Sequence, residues 1–411
     1  MPIDEFLNKV FIRKLKQIGN KIEKYSGDKV VIVHHNDADG ICSGAILLKL
    51  FEQLGLKVEL ISIEKVHPII VDKIHSKYEG ELIIYTDLAG LAGKMIDKVN
   101  KNRCMTWIID HHPAKPLKSK AVFIFDPHLF GIPGDTFISA STLSYIISTH
   151  IHRKINNYMK KYAYIAVLGA VGDYHDRSGG VLGFDRYVLD EAVDLKQIKI
   201  KIEEYRERYF IKFFDEFADI IAKNLTILGS VGYEKKGYKI GMKACLKGFD
   251  SKTLREVEKL KRMRTKKFRR AIETLKSGGL KIKKYCQWFH VEDSFSPMGV
   301  KVVGSFCNEI KDMIFVKQTK YLLGFQNCPK YIPDIGVINW KVVKLSGRLP
   351  TPLESKVLKG EALGYNVLIP RATKVVAGIA DATHRHAAAT LIDKGKEKQF
   401  IRAFEDILRK K

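Results

Sequence analysis

Val30-Val31-Ile32-Val33 runs directly into His34-His35-Asn36-Asp37-Ala38-Asp39-Gly40, so that a β-branched apolar run ends in imidazoles and carboxylates. The run reads as a buried strand. In an extended chain, positions 35, 37 and 39 share one side. Gly40 then lets the backbone turn, and Ala45-Ile46-Leu47-Leu48 continues as a helix with Ser43 near its start. Two carboxylates crowded with an imidazole at a strand's carboxyl end repel each other as anions unless a cation sits among them. Nitrogen and oxygen donors without thiolates suit manganese or magnesium better than a structural zinc. Helix caps and turn acids account for any one of these residues, and poorly for all three.

Outward from this segment, short apolar runs alternate with stretches of helical length. Lys57 to Ile63, Leu82 to Thr86, Met105 to Ile109 and Ala121 to Phe125 read as strands. Such alternation predicts a parallel sheet covered by helices on both faces, with ligands gathering beyond the carboxyl ends of its strands. The acids and histidines fall there: Leu82 to Thr86 runs into Asp87, and Trp107-Ile108-Ile109 into Asp110-His111-His112. An apolar segment of helical length, Ala163 to Val171, ends in Gly172-Asp173-Tyr174-His175-Asp176. Singly, an aspartate after a strand is more often a turn or cap residue than a ligand; the repetition is what argues for a site.

Taken in order, His-x-Asp-x-Asp-Gly at 35–40, the strand-end Asp87, Asp110-His111-His112, and Gly-x-x-x-Asp from Gly169 to Asp173 resemble the four motifs of the DHH phosphoesterase family. The resemblance covers residues 1–185. It implies a two-metal site on His35, Asp37, Asp39, Asp87, His111 and Asp173. Asp87 would be shared, with His35 and Asp37 on one ion and Asp39, His111 and Asp173 on the other. It also implies catalytic roles for His112, against the scissile phosphate, and for Asp110, which supports the adjacent imidazoles. His34 reads as a packed histidine. The implied cofactor is Mn2+, two ions per site, with Mg2+ as an alternative, and the implied chemistry is metal-dependent phosphodiester hydrolysis. Neither a Gly-x-x-x-x-Gly-Lys-[Ser/Thr] loop nor a Gly-x-Gly-x-x-Gly turn is present to suggest nucleotide chemistry of another kind.

The 411 residues, 45% of them hydrophobic, suffice for two or three domains. Six scattered cysteines without a Cys-x-x-Cys pair predict neither a zinc ribbon nor a disulfide framework. The N-terminus does not read as a signal peptide and no apolar run reaches membrane-spanning length, so the expectation is a cytoplasmic protein with no membrane partner. The net charge of +25 favours a polyanionic partner. Ser251 to Lys284 carries fourteen Lys and Arg against Glu256, Glu258 and Glu273, which is +11 of that total. Leu254, Val257, Leu260, Met263, Ile272 and Leu275 recur there at helical spacing, and Arg264, Lys267 and Arg270 stand among the candidates for contact with a phosphate backbone. A solvated basic face is the plainer alternative. The segment Gly229 to Gly241 alternates in character and could form a hairpin.

Beyond Phe295 the pattern returns to short strands and helices: Gly299 to Gly304, an amphipathic Ser305 to Ile314, and Val337 to Leu345. Ser346 and Arg348 match a Ser-x-Arg, and His384 the histidine of a Gly-Gly-His, in the DHHA1-like substrate-binding domain that follows DHH domains in RecJ-like exonucleases. That Gly-Gly-His precedes a small-residue helix; Ala382 and Thr383 replace its two glycines, and Ala389 the closing glycine. Phe400, Ile401, Phe404, Ile407 and Leu408 share one face of a final helix, open to packing on its own domain or to homo-oligomer formation.

The expected fold class is therefore α/β: a parallel-sheet DHH domain over 1–185, a basic helical connector over 186–290, and a smaller mixed α/β DHHA1-like domain over 291–411. The expected function is a RecJ-like, manganese-dependent exonuclease that hydrolyses single-stranded DNA or RNA from an end, with repair or replication proteins as its setting. Two alternatives stand beside it: a phosphodiesterase of short oligonucleotides or cyclic dinucleotides, and a non-catalytic scaffold in a replication or repair complex.

Overall fold

Five apolar runs become one parallel sheet because each is long enough only to cross a core and is followed by a segment that returns the chain. The structure is a computed structural model, which describes residues 9–151 and 153–409. Its first unit comprises Met1–Val257 with Pro333–Gly336, and its second Glu258–Ile332 with Val337–Lys411.

The first unit opens with α1 (Lys9–Glu23), β1 (Lys29–His34), α2 (Ala38–Gln53), β2 (Lys57–Ser62), α3 (Pro68–Lys77), β3 (Leu82–Thr86), α4 (Gly93–Asn100), β4 (Met105–Ile109) and β5 (Val122–Phe125). The strands lie in the order β2-β1-β3-β4-β5, and every neighbouring pair is parallel. Val30, Ile32, Leu82, Ile84, Trp107 and Ile109 join one core with residues of the following helices. The alternate positions Val31, Val33, Ile83, Tyr85 and Ile108 are equally buried. On that second face Tyr85 meets His75 of α3, hydroxyl to Nε2 at 3.1 Å. Both faces are thus covered, which is why the strands are continuous apolar runs. The chain leaves β1 for β2 on one side and returns to β3 on the other, so the switch in strand order falls between β1 and β3.

The rest of the unit holds α5 (Gly134–Phe137), α6 (Ala140–Thr149), α7 (Arg153–Met159), α8 (Ala163–Gly172), α9 (Gly183–Asp194), β6 (Ile198–Glu203), β7 (Arg206–Ile211), β8 (Glu216–Phe217), α10 (Ala218–Thr226) and α11 (Gly237–Lys247). The segment 186–290, expected as a connector, is therefore shared between the two units and supplies an antiparallel sheet, β6-β7-β8, to the first. The hairpin expected at Gly229 to Gly241 is helical instead. A Cβ at Gly229 would overlap the Asn36 carbonyl, and one at Gly237 the Leu228 carbonyl. These glycines serve close backbone approach, not a turn.

The first motif also departs from its extended reading. Helix α2 already begins at Ala38, and Asp37 caps it by accepting the Gly40 N–H at 3.0 Å. Asp39 therefore reaches the site from the first turn of a helix, and Ser43 lies a turn too late to cap it. Gly40 is likewise inside the helix, where a Cβ would stand 2.5 Å from the His35 carbonyl oxygen.

In the second unit come the rest of α12 (Ser251–Thr274), β9 (Lys281–Ile282), β10 (Cys286–His290), α13 (Lys301–Ile310), β11 (Tyr321–Asn327), β12 (Tyr331–Ile332), β13 (Gly336–Val337), β14 (Val342–Arg348), α14 (Thr351–Leu358), α15 (Tyr365–Val375), β15 (Ile379–Thr383), β16 (Ala387–Asp393) and α16 (Glu397–Arg409). A mixed sheet runs β15-β16-β14-β11-β10-β9. The apolar face of α12 is Val257, Leu260, Phe268 and Ala271, continued by Leu275, whereas Leu254 is 45% exposed. Gly299 to Gly304, expected as a strand, leads into α13, whose Val302, Val303, Phe306, Cys307 and Ile310 are buried at helical spacing. The alanines after His386 form β16 and not a helix, because each second residue from Ala388 enters the core. On α16, Phe400, Ile401 and Phe404 are buried in this unit's own core, which accounts for its apolar face without self-association. All six cysteines are free and buried, and no helix among the described residues is long and apolar enough to cross a membrane.

Substituting Gly40→Ala is expected to lower stability by about 1–3 kcal/mol, the usual cost of forcing atoms into a packed position. Thermal or urea denaturation of the metal-free protein measures it; an unchanged transition would mean that the α2 start can shift away from His35.

Candidate metal centre

The switch between β1 and β3 gathers the ends of three strands, the first turn of α2 and the last of α8. His35 and Asp37 follow β1, Asp87 follows β3, His111 follows β4, and Asp173 is the C-cap of α8. Asp87 adopts φ 61°, a left-handed conformation that aspartate tolerates better than most residues. Its two oxygens face opposite ways along the site. Oδ2 is 3.5 Å from His35 Nδ1, which is also 2.9 Å from Asp37 Oδ2. Oδ1 is 3.3 Å from His111 Nε2, which lies 3.8 Å from Asp39 Oδ2 and 3.6 Å from Asp173 Oδ2.

Each donor is aimed by a contact behind it. Asp39 accepts the Ala140 N–H at 2.8 Å and the Ser141 N–H at 2.9 Å, so the amino end of α6 holds both its oxygens. That packing requires Gly169, where a Cβ would overlap Ser141 Oγ and stand 2.5 Å from Asp39 Oδ1. His111 Nδ1 donates to the Gly134 carbonyl at 2.9 Å, which leaves Nε2 as the ring atom turned to the carboxylates. Asp110 is spent on orientation: Oδ1 accepts the His111 N–H at 2.8 Å and His112 Nδ1–H at 2.9 Å, and Oδ2 accepts the Gly90 N–H at 2.7 Å. His34, as expected, is packed, with Nδ1 on the His35 carbonyl at 2.7 Å and its ring edge-on to Tyr238.

The electrostatics are those of anions forced together. Burial first, and then the charge of Asp87, push the Asp39 carboxyl up to about 7. Burial would lower His111, but the Asp87 contact and the charges of Asp173 and Asp39 outweigh it and raise the imidazole well above its ordinary value. Burial likewise opposes a charged His112, and the Asp110 charge overrides it to about 9. Asp110 is pulled the other way, its burial outweighed by His112, to about 2.

Three groups of donors have ligand atoms within 4.8 Å of one another: His35, Asp37 and Asp87; His111, Asp173 and His175; and Asp87, Asp110, His111 and His112. Among buried polar atoms without a hydrogen-bond partner are Asp87 Oδ2, His111 Nε2 and His175 Nε2. Orphaned ring nitrogens and a carboxylate oxygen converging at ligand spacing fit a pair of hard or borderline divalent cations.

Sequence reading passed over two buried acids and a histidine here. His175 belongs to the same cluster as Asp173, and Asp185 backs it ten residues later. Asp126 follows β5 just as Asp87 follows β3; burial first, then the charge of Asp110, raise it to about 8. The same signal, an apolar run ending in an acid, marks Asp126.

The residues expected in the second unit are placed separately. Register sets Ser346 opposite Ala389 and Arg348 opposite Ala387 on neighbouring strands, and the His384 N–H bonds the Ala387 carbonyl. Ser346, Arg348 and the backbone of His384 thus share one end of the mixed sheet. The side chains of Ala382 and Thr383 lie outside the described residues. On α12, Arg264 meets Glu309 at 3.4 Å, Lys267 donates to the Ser294 carbonyl at 2.8 Å, and Arg270 is exposed.

Residues 29–170 match the family described as DHH family, N-terminal domain. An uncharacterized protein of Methanocaldococcus jannaschii is 26% identical over 222 residues, 53% of this chain and 49% of its own length, so the chain spans about half of that relative. RecJ of Thermus thermophilus, solved in complex with Mn2+, is similar at a TM-score of 0.65 and 12% identity over 97% of this chain and 55% of that one. A manganese-bound exonuclease RecJ gives 0.60 and 14% over 96% and 94%. At such identities the likeness is one of fold.

Because a cation must displace the proton from His111 and ionise Asp39, Mn2+ affinity should rise as pH rises from about 6 to about 8. Each proton displaced contributes up to about tenfold per pH unit. Calorimetric titrations in buffers of differing ionisation enthalpy should register net proton release; proton uptake would contradict the charge balance.

Proposed function

With residues 29–170 forming a DHH-family domain, we propose that this chain is a two-metal phosphodiesterase that degrades single-stranded DNA or RNA from an end, as a RecJ-like exonuclease serving repair or replication in the cytoplasm. The observation that carries the reading is Asp87, one oxygen turned to His35 and the other to His111. A carboxylate so placed can bridge two cations. Mn2+ is the proposed resident ion, with Mg2+ as a substitute, since imidazoles and carboxylates share the site. When bound, the pair would supply a nucleophile from water and neutralise charge on the phosphoryl group.

The chain's own residues set the rest. His35, Asp37 and Asp87 would hold one ion, and Asp39, Asp87, His111 and Asp173 the other. His112 keeps its proton at neutral pH because Asp110 accepts from Nδ1, which leaves Nε2–H as the donor to a phosphate oxygen or a departing hydroxyl. Asp110 is a positioning residue, its oxygens already engaged. Arg348, Ser346 and His384 are proposed to grip substrate at the end of the mixed sheet. The exposed basic side chains of α12, Arg270 among them, are proposed to follow the strand's phosphates.

The test uses end-labelled single-stranded DNA, single-stranded RNA and a dinucleotide, each with and without Mn2+. Metal-dependent shortening of a polymer supports the proposal. Cleavage confined to the dinucleotide replaces it with a short-oligonucleotide phosphodiesterase, and no cleavage of any substrate with a scaffold. Asp87→Asn should reduce the rate by about 10²–10³-fold or more. Replacing Arg269 and Arg270 with Gln should weaken polymer binding and flatten its salt dependence by about 0.7 per lost phosphate contact, sparing the dinucleotide.

A further inference from the structure

Two residues beyond Asp173 stands a histidine that none of the four motifs uses. His175 is 2% exposed. Its Nδ1 lies 2.6 Å from Asp185 Oδ2, and Asp185, itself fully buried, accepts the Ser139 N–H at 3.0 Å on its other oxygen. A carboxylate fixed at both oxygens accepts the Nδ1 proton and leaves Nε2 as the ring's open nitrogen. That nitrogen is buried, has no hydrogen-bond partner, and points into the cluster of His111 and Asp173.

Resting on the two-metal reading above, we propose that His175 is a protein ligand of the cation held by His111 and Asp173, with Asp185 orienting it. The spacing fits two donors of one ion. His175 Nε2 is 3.4 Å from Asp173 Oδ2, beyond the usual 2.7–3.2 Å or so of an N–H···O bond. It matches the 3.3–3.8 Å separations of His111 Nε2 from its carboxylates. Two donors bonded to one ion at about 2.1 Å stand about 3.0 Å apart at a right angle, and farther at wider angles. The arrangement behind the ring, a buried carboxylate on the distal nitrogen, is the one that aims metal-binding imidazoles.

This ligand makes the two half-sites unequal. The His35 side offers one imidazole, and the His111 side offers two. Imidazole favours Mn2+ over Mg2+, which takes oxygen donors and water. The His111 side is therefore the tighter and the more manganese-selective, while the His35 side accepts either ion.

The experiment titrates the full chain with Mn2+ and follows free ion by electron paramagnetic resonance, for the unaltered protein and for His175→Gln and Asp185→Asn. Pulsed resonance on the bound ion counts coordinated imidazole nitrogens. The unaltered protein should bind two ions. His175→Gln, which retains much of the volume and a donor to Asp185, should lose at least about 10-fold in affinity at one site and one imidazole nitrogen from the count. Asp185→Asn should lose about 10–100-fold at that same site. Melting in chelator checks that each variant is folded. Unaltered affinity and nitrogen count in a folded His175→Gln overturns the proposal alone, whereas failure of the unaltered protein to bind Mn2+ overturns the two-metal reading on which it rests.

Discussion

Three carboxylates, Asp39, Asp87 and Asp173, surround His111 Nε2 at 3.3–3.8 Å in a buried site, and the first unit is arranged to tolerate them. Two unit charges about 4 Å apart repel by about 4 kcal/mol at an effective dielectric of about 20. Three devices offset this. The amino end of α6 turns two N–H groups on Asp39. Protons held on His111 and His175 supply positive charge when no ion is bound. A bound cation would replace those protons. The protonated histidines and the expected cations are thus alternative answers to one electrostatic demand, and the raised imidazoles mark where positive charge is required.

Close packing is the second demand, and glycine meets it. Gly134 stands where a Cβ would overlap the His111 carbonyl, and Gly172 where it would stand 2.5 Å from Ala38 Cβ. Gly169 and Gly172 let α8 approach α6 and α2 behind the carboxylates, while Gly40 and Gly134 leave room for the backbone at His35 and His111. None has a left-handed backbone in this structure, so each is glycine for want of space and not for conformational freedom.

This distinction explains much of what could be read from the sequence and what could not. The parallel sheet was legible because its strands are buried on both faces and so are uninterrupted apolar runs. The gathering of acids and histidines at strand ends was legible because the end of such a run is the rim of the sheet. Asp39 was found for the wrong reason: alternation placed it beside Asp37, whereas the helix begins between them and turns it toward α6. Glycine read as a turn was misleading at Gly40, whose neighbour is the His35 backbone, and alternation read as a hairpin was misleading from Gly229, where the opposing backbone at Asn36 lies far away in sequence. Val300, Val302 and Val303 suggested a strand, but the core of the second unit takes Val303, Phe306, Cys307 and Ile310 as a helical face. His175 escaped notice because its meaning resides in Asp185, a helical residue whose own partner, Ser139, is distant in the chain.

The histidines of the site show how partner chemistry assigns roles to identical side chains. His111, His112 and His175 are each anchored through Nδ1 and present Nε2, yet the anchor differs: a neutral carbonyl for His111 and carboxylates for the other two. A carboxylate behind the ring raises its basicity, which either strengthens a metal ligand or holds a proton for transfer. His112 has one such carboxylate behind it, and its Nε2 forms no ion pair among those of the described residues, so it is suited to keep its proton. His175 has Asp173 before it as well as Asp185 behind, so its open nitrogen faces negative charge and is suited to exchange a proton for a cation. His35 inverts the pattern, turning Nδ1 itself toward Asp37 and Asp87. The distinction between acid and ligand therefore depends on what faces the second nitrogen of each ring, and local sequence around a histidine does not contain it.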